Sequence, residues 1–173
     1  RKRIDYEYQR HGVAYLHMLF VPLANKRHIR VTQQHTKKDF AHCMKWLVDE
    51  IFPEATLIRV VLDNLATHKP AALYETFSPQ EARRILRKLE FHYTPKHGSW
   101  LNMAEIELSV LGRTMKNYIP EIQRFEQEAQ ALTNERNGSN ARVNWQFRTD
   151  NARIKLKQLY LSLIHISEPT RPY

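Results

Sequence analysis

The chain has 173 residues, with 27 Lys and Arg against 18 Asp and Glu, and therefore a formal charge of +9. This length fits one domain with a real core, and the basic excess favours a polyanionic partner such as nucleic acid. The single cysteine, Cys43, excludes an internal disulfide and a cysteine-rich zinc site. No apolar run reaches the roughly 18 residues that span a bilayer, so we expect a cytoplasmic protein without a membrane segment.

The first third of the chain predicts a β-hairpin followed by a helix. Residues 12–20 and 27–33 are strand-like, and the second run alternates polar and apolar side chains. Residues 36–52 have helical periodicity, with Thr36 and Asp39 spaced as a capping box and Pro53 at the end. Cys43 lies beside the apolar stripe of this helix, so we expect a buried, inert thiol. The stripe consists of Phe40, Met44, Leu47, Val48 and Ile51.

The middle of the chain predicts two short strands around a second helix. Residues 57–62 are rich in branched apolar side chains, which is typical of a buried parallel strand, and Asp63 follows directly. Ser78 and Pro79 predict the start of a helix over residues 78–89. Residues 90–94 predict another strand, which Pro95 ends.

The remaining residues predict mainly helices. We expect helices over residues 101–116 and 120–136, and a last basic helix from a cap at Asp150 to about residue 160. Strands that alternate with helices after an antiparallel start indicate a mixed α/β sheet. Residues 161–173 continue no period and contain two prolines, so we expect a non-native tail there.

Two carboxylates predict a metal site at the strand ends. Ligands of α/β sheets collect at the carboxyl ends of parallel strands, where Asp63 lies, and Glu105 falls in the first turns of the helix after the next strand. Together they could hold Mg²⁺ or Mn²⁺, which prefer oxygen ligands. Asp63 could instead cap a turn, since Asp is common after strands. Glu107 is a rival to Glu105, because both flank the apolar face of their helix and periodicity does not choose between them.

Residues 60–68 (VVLDNLATH) and 91–111 (FHYTPKHGSWLNMAEIELSVL) resemble bacterial insertion-sequence transposases of the mariner-related superfamily, which are DDE superfamily endonucleases. The first segment is similar to their Asp-Asn-x-x-x-His motif, and the second to their aromatic-x-Pro loop and Asn-x-x-Glu helix. This chain has Asn-Met-Ala-Glu where the family usually has Asn-Pro-Ile-Glu. The resemblance selects Glu105 over Glu107. The matching positions are Asp63, Asn64, His68, Pro95, Asn102 and Glu105.

The resemblance implies a partial ribonuclease-H-like catalytic domain over residues 1–160, with a mixed sheet flanked by helices. In that frame the hairpin matches strands two and three, so the first, central strand is missing. The first catalytic Asp then lies upstream of residue 1, and Asp5 is a weaker candidate. The implied function is Mg²⁺-dependent (or Mn²⁺-dependent) DNA strand cleavage and strand transfer at insertion-sequence ends. We expect double-stranded DNA as the partner, a homodimer for the full-length protein, and no activity from this chain alone.

Within that implied site, Asp63 and Glu105 are the catalytic metal ligands, and Asn64, His68 and Asn102 support them. His68 would position water or a phosphate, or act only as a structural hydrogen bonder. Asn64 would orient Asp63 or the turn. The expected DNA-backbone contacts, each of which could instead belong to a solvated surface, are Lys96, His97, Arg83, Arg84, Arg87 and Lys88.

Two other functions fit the same sequence. A non-catalytic DNA-binding remnant of a transposase would keep the basic faces but assemble no metals. A different ribonuclease-H-like nuclease or integrase would share the fold, although the chain has no zinc-binding His/Cys spacing. An Asp on an apolar strand encoded upstream of Arg1 would favour the transposase over the remnant.

Overall fold

The computed structural model describes residues 13–95, 98–115, 119 and 121–155, in two units that comprise residues 1–143 and 144–173. The first unit is a mixed α/β arrangement, and the described part of the second contains one short helix. The elements are β1 (Tyr15–Val21), β2 (Lys26–Thr32), α1 (Lys37–Trp46), a π-helical turn (Leu47–Ile51), β3 (Ile58–Leu62), α2 (Ala71–Thr76), α3 (Pro79–Leu86), β4 (Leu89–Tyr93), a 3-10 turn (Ser99–Leu101), α4 (Met103–Thr114), α5 (Ile122–Gly138) and α6 (Thr149–Lys155).

The predicted hairpin is confirmed. β1 and β2 pair antiparallel, with Tyr15 opposite Thr32 and Val21 opposite Lys26. The turn between them contains Asn25 at a φ of 50°, a left-handed conformation that asparagine tolerates. Helix α4 packs against β1, and helix α5 packs against β2. Two helices that come much later in the sequence therefore pack against the hairpin.

The capping box predicted for α1 is also confirmed. The backbone N–H of Thr36 donates to Asp39 Oδ2 at 2.8 Å, and the N–H of Asp39 donates to Thr36 Oγ1 at 3.3 Å. The last turn widens to a π-helix, in which the N–H of Phe52 donates to the carbonyl of Leu47 at 3.0 Å. Cys43 is buried as expected, and burial raises the pKa of its thiol to about 11.

Strands β3 and β4 form a second, parallel sheet, as the sequence predicted. Ile58 is opposite Leu89 and Leu62 is opposite Tyr93. The expectation of a fully buried β3 is wrong, because its side chains alternate between two faces and Val61 remains 56% exposed. Apolar composition alone did not reveal this, since branched residues occupy both faces. The described part of the chain leaves the outer face of this sheet open.

The core lies between the inner face of β3 and β4 and the helices α1, α2 and α3. Helix α2 was not predicted, although its Leu73 is fully buried in this core. Its six residues carry no side-chain cap, so the sequence offers no local start signal. The buried core residues are Phe40, Ala41, Cys43, Met44, Leu47, Val48, Leu62, Ala72, Leu73, Ala82, Ile85 and Leu89.

Other element boundaries differ from the prediction. Ser78 does cap α3, but the helix ends at Leu86, because Leu89 already pairs in β4. The predicted cap at Asp150 is wrong: Asp150 lies in the first turn of α6, and Asn151 Oδ1 accepts from the N–H of Arg148 at 2.9 Å. Among the described residues, no helix is long and apolar enough to cross a membrane.

Candidate active site at the ends of the parallel strands

Asp63 lies where the sequence placed it, directly after β3. The two parallel strands end together, because the N–H of Thr94 continues the ladder by donating to the carbonyl of Leu62 at 2.8 Å. The Asp63 side chain is 30% exposed. A carboxylate at this position is fixed by the sheet behind it and is still accessible to a ligand, as expected at the carboxyl edge of parallel strands.

His68 holds one oxygen of this carboxylate. Its Nδ1 lies 2.5 Å from Asp63 Oδ1, and since an ionised carboxylate can only accept, the imidazole carries its proton on Nδ1. The ring stacks on Phe40 with centroids 4.9 Å apart, and Tyr93 donates from its hydroxyl to the carbonyl of His68 at 2.8 Å. Among the described residues, Asp63 Oδ2 has no hydrogen-bond partner. His68 therefore orients Asp63 while leaving its second oxygen available.

Two further histidines connect His68 to the hairpin through ring contacts. The rings of His35 and His68 meet edge to face at 5.6 Å, and His35 stacks on His17 at 5.4 Å. His17 Nε2 lies 2.9 Å from Thr32 Oγ1, and burial, followed by the neighbouring His35, lowers the pKa of His17. Sequence reasoning missed both histidines, because they lie far from His68 along the chain and share no motif with it.

Asn64 accepts a hydrogen bond through Oδ1 from the ammonium of Lys69. The same ammonium lies over the ring of Tyr93, 4.2 Å from its centroid. Through Lys69, Asn64 is thus linked to Tyr93 at the end of β4, and its role in orienting Asp63 or the turn stays a prediction.

On α4, the two rival glutamates have different environments. Asn102 caps the helix by accepting from the N–H of Ala104 at 3.0 Å, and Glu105 follows in the first turn, half-buried. No described residue forms a hydrogen bond or ion pair with the Glu105 carboxylate. Glu107, by contrast, is fully buried inside the fold. Only Glu105 therefore has a carboxylate free to bind a ligand.

Two arginines form hydrogen bonds with both carboxylate oxygens of Glu107. Arg27 donates to its two oxygens at 2.9 and 2.6 Å, and Arg136 donates to them at 2.9 and 3.0 Å. Burial would raise the pKa of Glu107, but the hydrogen bonds from both guanidinium groups outweigh it and hold the pKa below its usual value. Beside the predicted apolar face of α4, Glu107 therefore takes part in a buried ion-pair network that joins β2, α4 and α5.

A family profile of DDE superfamily endonucleases matches residues 1–127. The chain belongs to this family. No curated protein and no solved structure matches it. Membership supports a nuclease of the transposase type, for which DNA is the implied substrate, and enzymes of this superfamily typically use divalent metals. The mixed α/β structure with its small sheets is compatible with such an endonuclease.

Within the described ranges of this endonuclease chain, no group of three or more His, Cys, Asp or Glu side chains is arranged to hold a metal ion. The structure brings Asp63 together with His68, and Asn64 together with Lys69. The convergence of Asp63 and Glu105 on one ion stays a prediction.

The basic residues predicted at α3 include one that is neutralised by carboxylates and others that form no described ion pair. Arg84 donates to Asp49 and Glu81, at 2.7 to 2.9 Å, and is neutralised by them. Lys88 donates to the carbonyl of Pro53 at 2.6 Å, whereas Arg83 and Arg87 form no ion pair with any described residue. All four line an open depression of about 530 Å³. Lys96 and His97, the predicted loop contacts, lie outside the described residues.

Proposed function

We propose that this chain is part of the catalytic domain of an insertion-sequence transposase, which cleaves DNA strands and transfers them with Asp63 and Glu105 as metal-binding carboxylates. One observation carries the proposal: Asp63 directly follows a parallel strand and is oriented by His68 through one oxygen, with the other oxygen available among the described residues. Structural aspartates at strand ends usually bond to nearby backbone N–H groups. Asp63 accepts no such bond within the described structure.

The donor chemistry fits a hard divalent cation. Asp63 and Glu105 supply carboxylate oxygens, the ligands that Mg²⁺ and Mn²⁺ prefer. Each has oxygen atoms without a partner among the described residues, whereas the oxygens of Glu107 are taken by Arg27 and Arg136. A bound divalent ion would stabilise the negative charge that develops on the attacking and leaving oxygens of a phosphodiester. His68 would keep Asp63 in the orientation for binding, and Asn102 would fix the start of the helix that carries Glu105.

The proposal includes a ribonuclease-H-like sheet. The described structure has two separate two-stranded sheets, in which each of the four strands has one unpaired edge. A strand between β1 and β3 would join them into one mixed sheet of five strands, and an aspartate on that strand would complete the acidic triad. Unpaired edges are unfavourable unless something covers them, and a bridging strand would cover those of β1 and β3.

The proposed substrate is double-stranded DNA. Arg83 lies on α3 and Arg87 directly follows its end, about one helical turn away, and neither is neutralised by described carboxylates, so both could bind backbone phosphates. Lys88 could join them by exchanging its carbonyl partner, and Arg84 would contribute only as part of its ion-pair network. Lys96 and His97 precede the helix of Glu105 and would contact the same strand. A dimer of the full-length protein would bring two element ends together.

The test uses the full-length protein and a supercoiled plasmid that carries the element ends. We expect nicking that requires Mg²⁺ or Mn²⁺ and that is lost in Asp63→Asn and Glu105→Gln. Glu75→Gln is the matched control, because this surface carboxylate, 52% exposed, pairs with Lys37 and with no other described residue. Unchanged nicking by Asp63→Asn would refute the catalytic proposal.

The alternative is a DNA-binding remnant that assembles no metals, in which Arg83 and Arg87, which form no ion pair with any described residue, would still bind backbone phosphates. It predicts a full-length protein that binds DNA and does not nick it with either metal. The same plasmid assay, combined with a gel-shift measurement, separates the two functions.

A further inference from the structure

Lys69 lies at the carboxyl ends of both parallel strands, in a position that the sequence motifs did not single out. Its ammonium donates to Asn64 Oδ1 and lies over the ring of Tyr93, 4.2 Å from the centroid. Asn64 directly follows Asp63, and Tyr93 is the last residue of β4. The flexible lysine side chain is therefore held in one place beside the proposed catalytic carboxylate.

Both groups that hold Lys69 are electrically neutral. Several other basic side chains that form more than one contact are paired with carboxylates, among them Arg27 and Arg136 with Glu107, and Lys45 and Arg84 with Asp49 and Glu81. No described carboxylate lies within ion-pair distance of the Lys69 ammonium. An amide oxygen and an aromatic face orient a cation, but they leave its net charge uncompensated.

We propose that Lys69 binds a backbone phosphate of the DNA strand that lies across the ends of β3 and β4. This inference rests on the proposed function, because it deepens the assignment of that edge as the DNA-cleaving site. A lysine ammonium has three donors, so it can keep its bond to Asn64 while it donates to a phosphate oxygen. Because the amide and the ring already fix the side chain, less conformational entropy is lost when the phosphate binds.

A purely structural role makes a different prediction. If Lys69 only fastened the turn of Asn64 to Tyr93, replacing it would lower stability and leave the salt dependence of DNA binding unchanged. A phosphate contact releases condensed counterions, so its loss reduces the slope of log K against log salt by about 0.9 for duplex DNA. The salt dependence of DNA binding therefore distinguishes a phosphate contact from a purely structural role, because the stability of the fold does not determine this slope.

The experiment measures binding of the full 173-residue chain to a DNA duplex across a salt series, after a melting curve has shown that each variant is folded. We expect Lys69→Gln to reduce the slope by about 0.9 and Lys69→Arg to retain it. Lys26→Gln removes the same charge at the hairpin turn, where the only described partner of the Lys26 ammonium is the carbonyl of Asn137, and should leave the slope unchanged. An unchanged slope in folded Lys69→Gln overturns the assignment of Lys69.

A measurement on the unaltered chain covers the case in which Lys69→Gln does not fold. Acetylation of lysines, mapped by mass spectrometry, should fall at Lys69 when duplex DNA is added and stay constant at Lys26. Equal labelling of Lys69 with and without DNA would overturn the inference. If the unaltered chain shows no salt-dependent DNA binding, the proposed function fails as well. If it binds and only the Lys69 results are negative, the proposed function stands without this contact.

Discussion

Replacing Glu107 with glutamine should destabilise the protein severely, because it removes the anion from a buried network with two cations. The side chains of Arg27 and Glu107 are each 1% exposed, and that of Arg136 is 25% exposed. Breaking a buried ion pair by removing one partner costs about 3–5 kcal/mol, since the remaining charge stays buried without compensation. Glutamine keeps one acceptor oxygen, but its amide N–H groups face guanidinium donors, so we expect a loss within that range.

Urea denaturation followed by tryptophan fluorescence measures this loss. With a urea dependence of roughly 2 kcal/mol per molar, a loss of about 3–5 kcal/mol lowers the midpoint by about 1.5–2.5 M. Glu105→Gln is the control on the same helix, because its half-buried carboxylate forms no described ion pair, and it should change stability by less than about 0.5 kcal/mol. A loss below about 1 kcal/mol for Glu107→Gln would show that the two arginines do not depend on the charge of Glu107.

A double variant tests the cause of that loss. Arg27→Met combined with Glu107→Leu removes the most deeply buried cation together with the anion, and leaves Arg136, which can turn toward solvent. Apolar replacement of a buried ion pair is often neutral or stabilising, so the double variant should be more stable than Glu107→Gln. If the two are equally unstable, packing rather than uncompensated charge explains the loss.

Three further predictions concern single groups. Asn102→Ala should lower stability by about 0.5–2 kcal/mol in thermal melts, because α4 loses its N-cap. Hydrogen bonds, first of all those from Arg84, lower the pKa of Asp49 from 3.8 to about 2 and the pKa of Glu81 from 4.5 to about 2. This network should therefore stabilise the fold fully above about pH 4.5 and lose its effect as the pH falls toward 2. Acid-unfolding curves in which Arg84→Gln shows the same stability loss at pH 2.5 as at pH 6 would contradict this. Cys43 is buried and its pKa is raised to about 11, so a thiol reagent at pH 8 should modify it only as fast as the chain unfolds.

Local backbone chemistry made much of the fold predictable. The Thr36–Asp39 capping box and the Ser78–Pro79 helix start act within four residues, so the sequence shows them directly. Alternation and composition likewise predicted the hairpin and the parallel direction of β3. Helix α2 was missed because it has no side-chain cap, and its stability comes from burial of Leu73 among other elements.

Contacts in the candidate site could be predicted only between residues that belong to one sequence motif. Asp63 and His68 fall in one short motif, and the structure joins them. The partners of Glu107 are 80 and 29 residues away, and no periodicity links positions so distant. For this reason helical spacing could not choose between Glu105 and Glu107, whereas the contacts of Glu107 distinguish them. Lys69 was missed for a similar reason: it lies far from Tyr93 in the sequence, and the two residues come together because β3 pairs with β4.

We propose that Asp63 and Glu105 bind one shared divalent ion, and cutting of the chain by a bound metal tests this directly. Fe²⁺ can be loaded in place of Mg²⁺ into the full-length protein, where ascorbate and peroxide generate radicals that cut the chain next to the ion. We predict cuts near residues 63 and 105 together, both lost in Asp63→Asn and in Glu105→Gln, and both retained in Glu75→Gln. Cutting at only one of the two segments, or cuts that persist in either carboxylate variant, would contradict the claim.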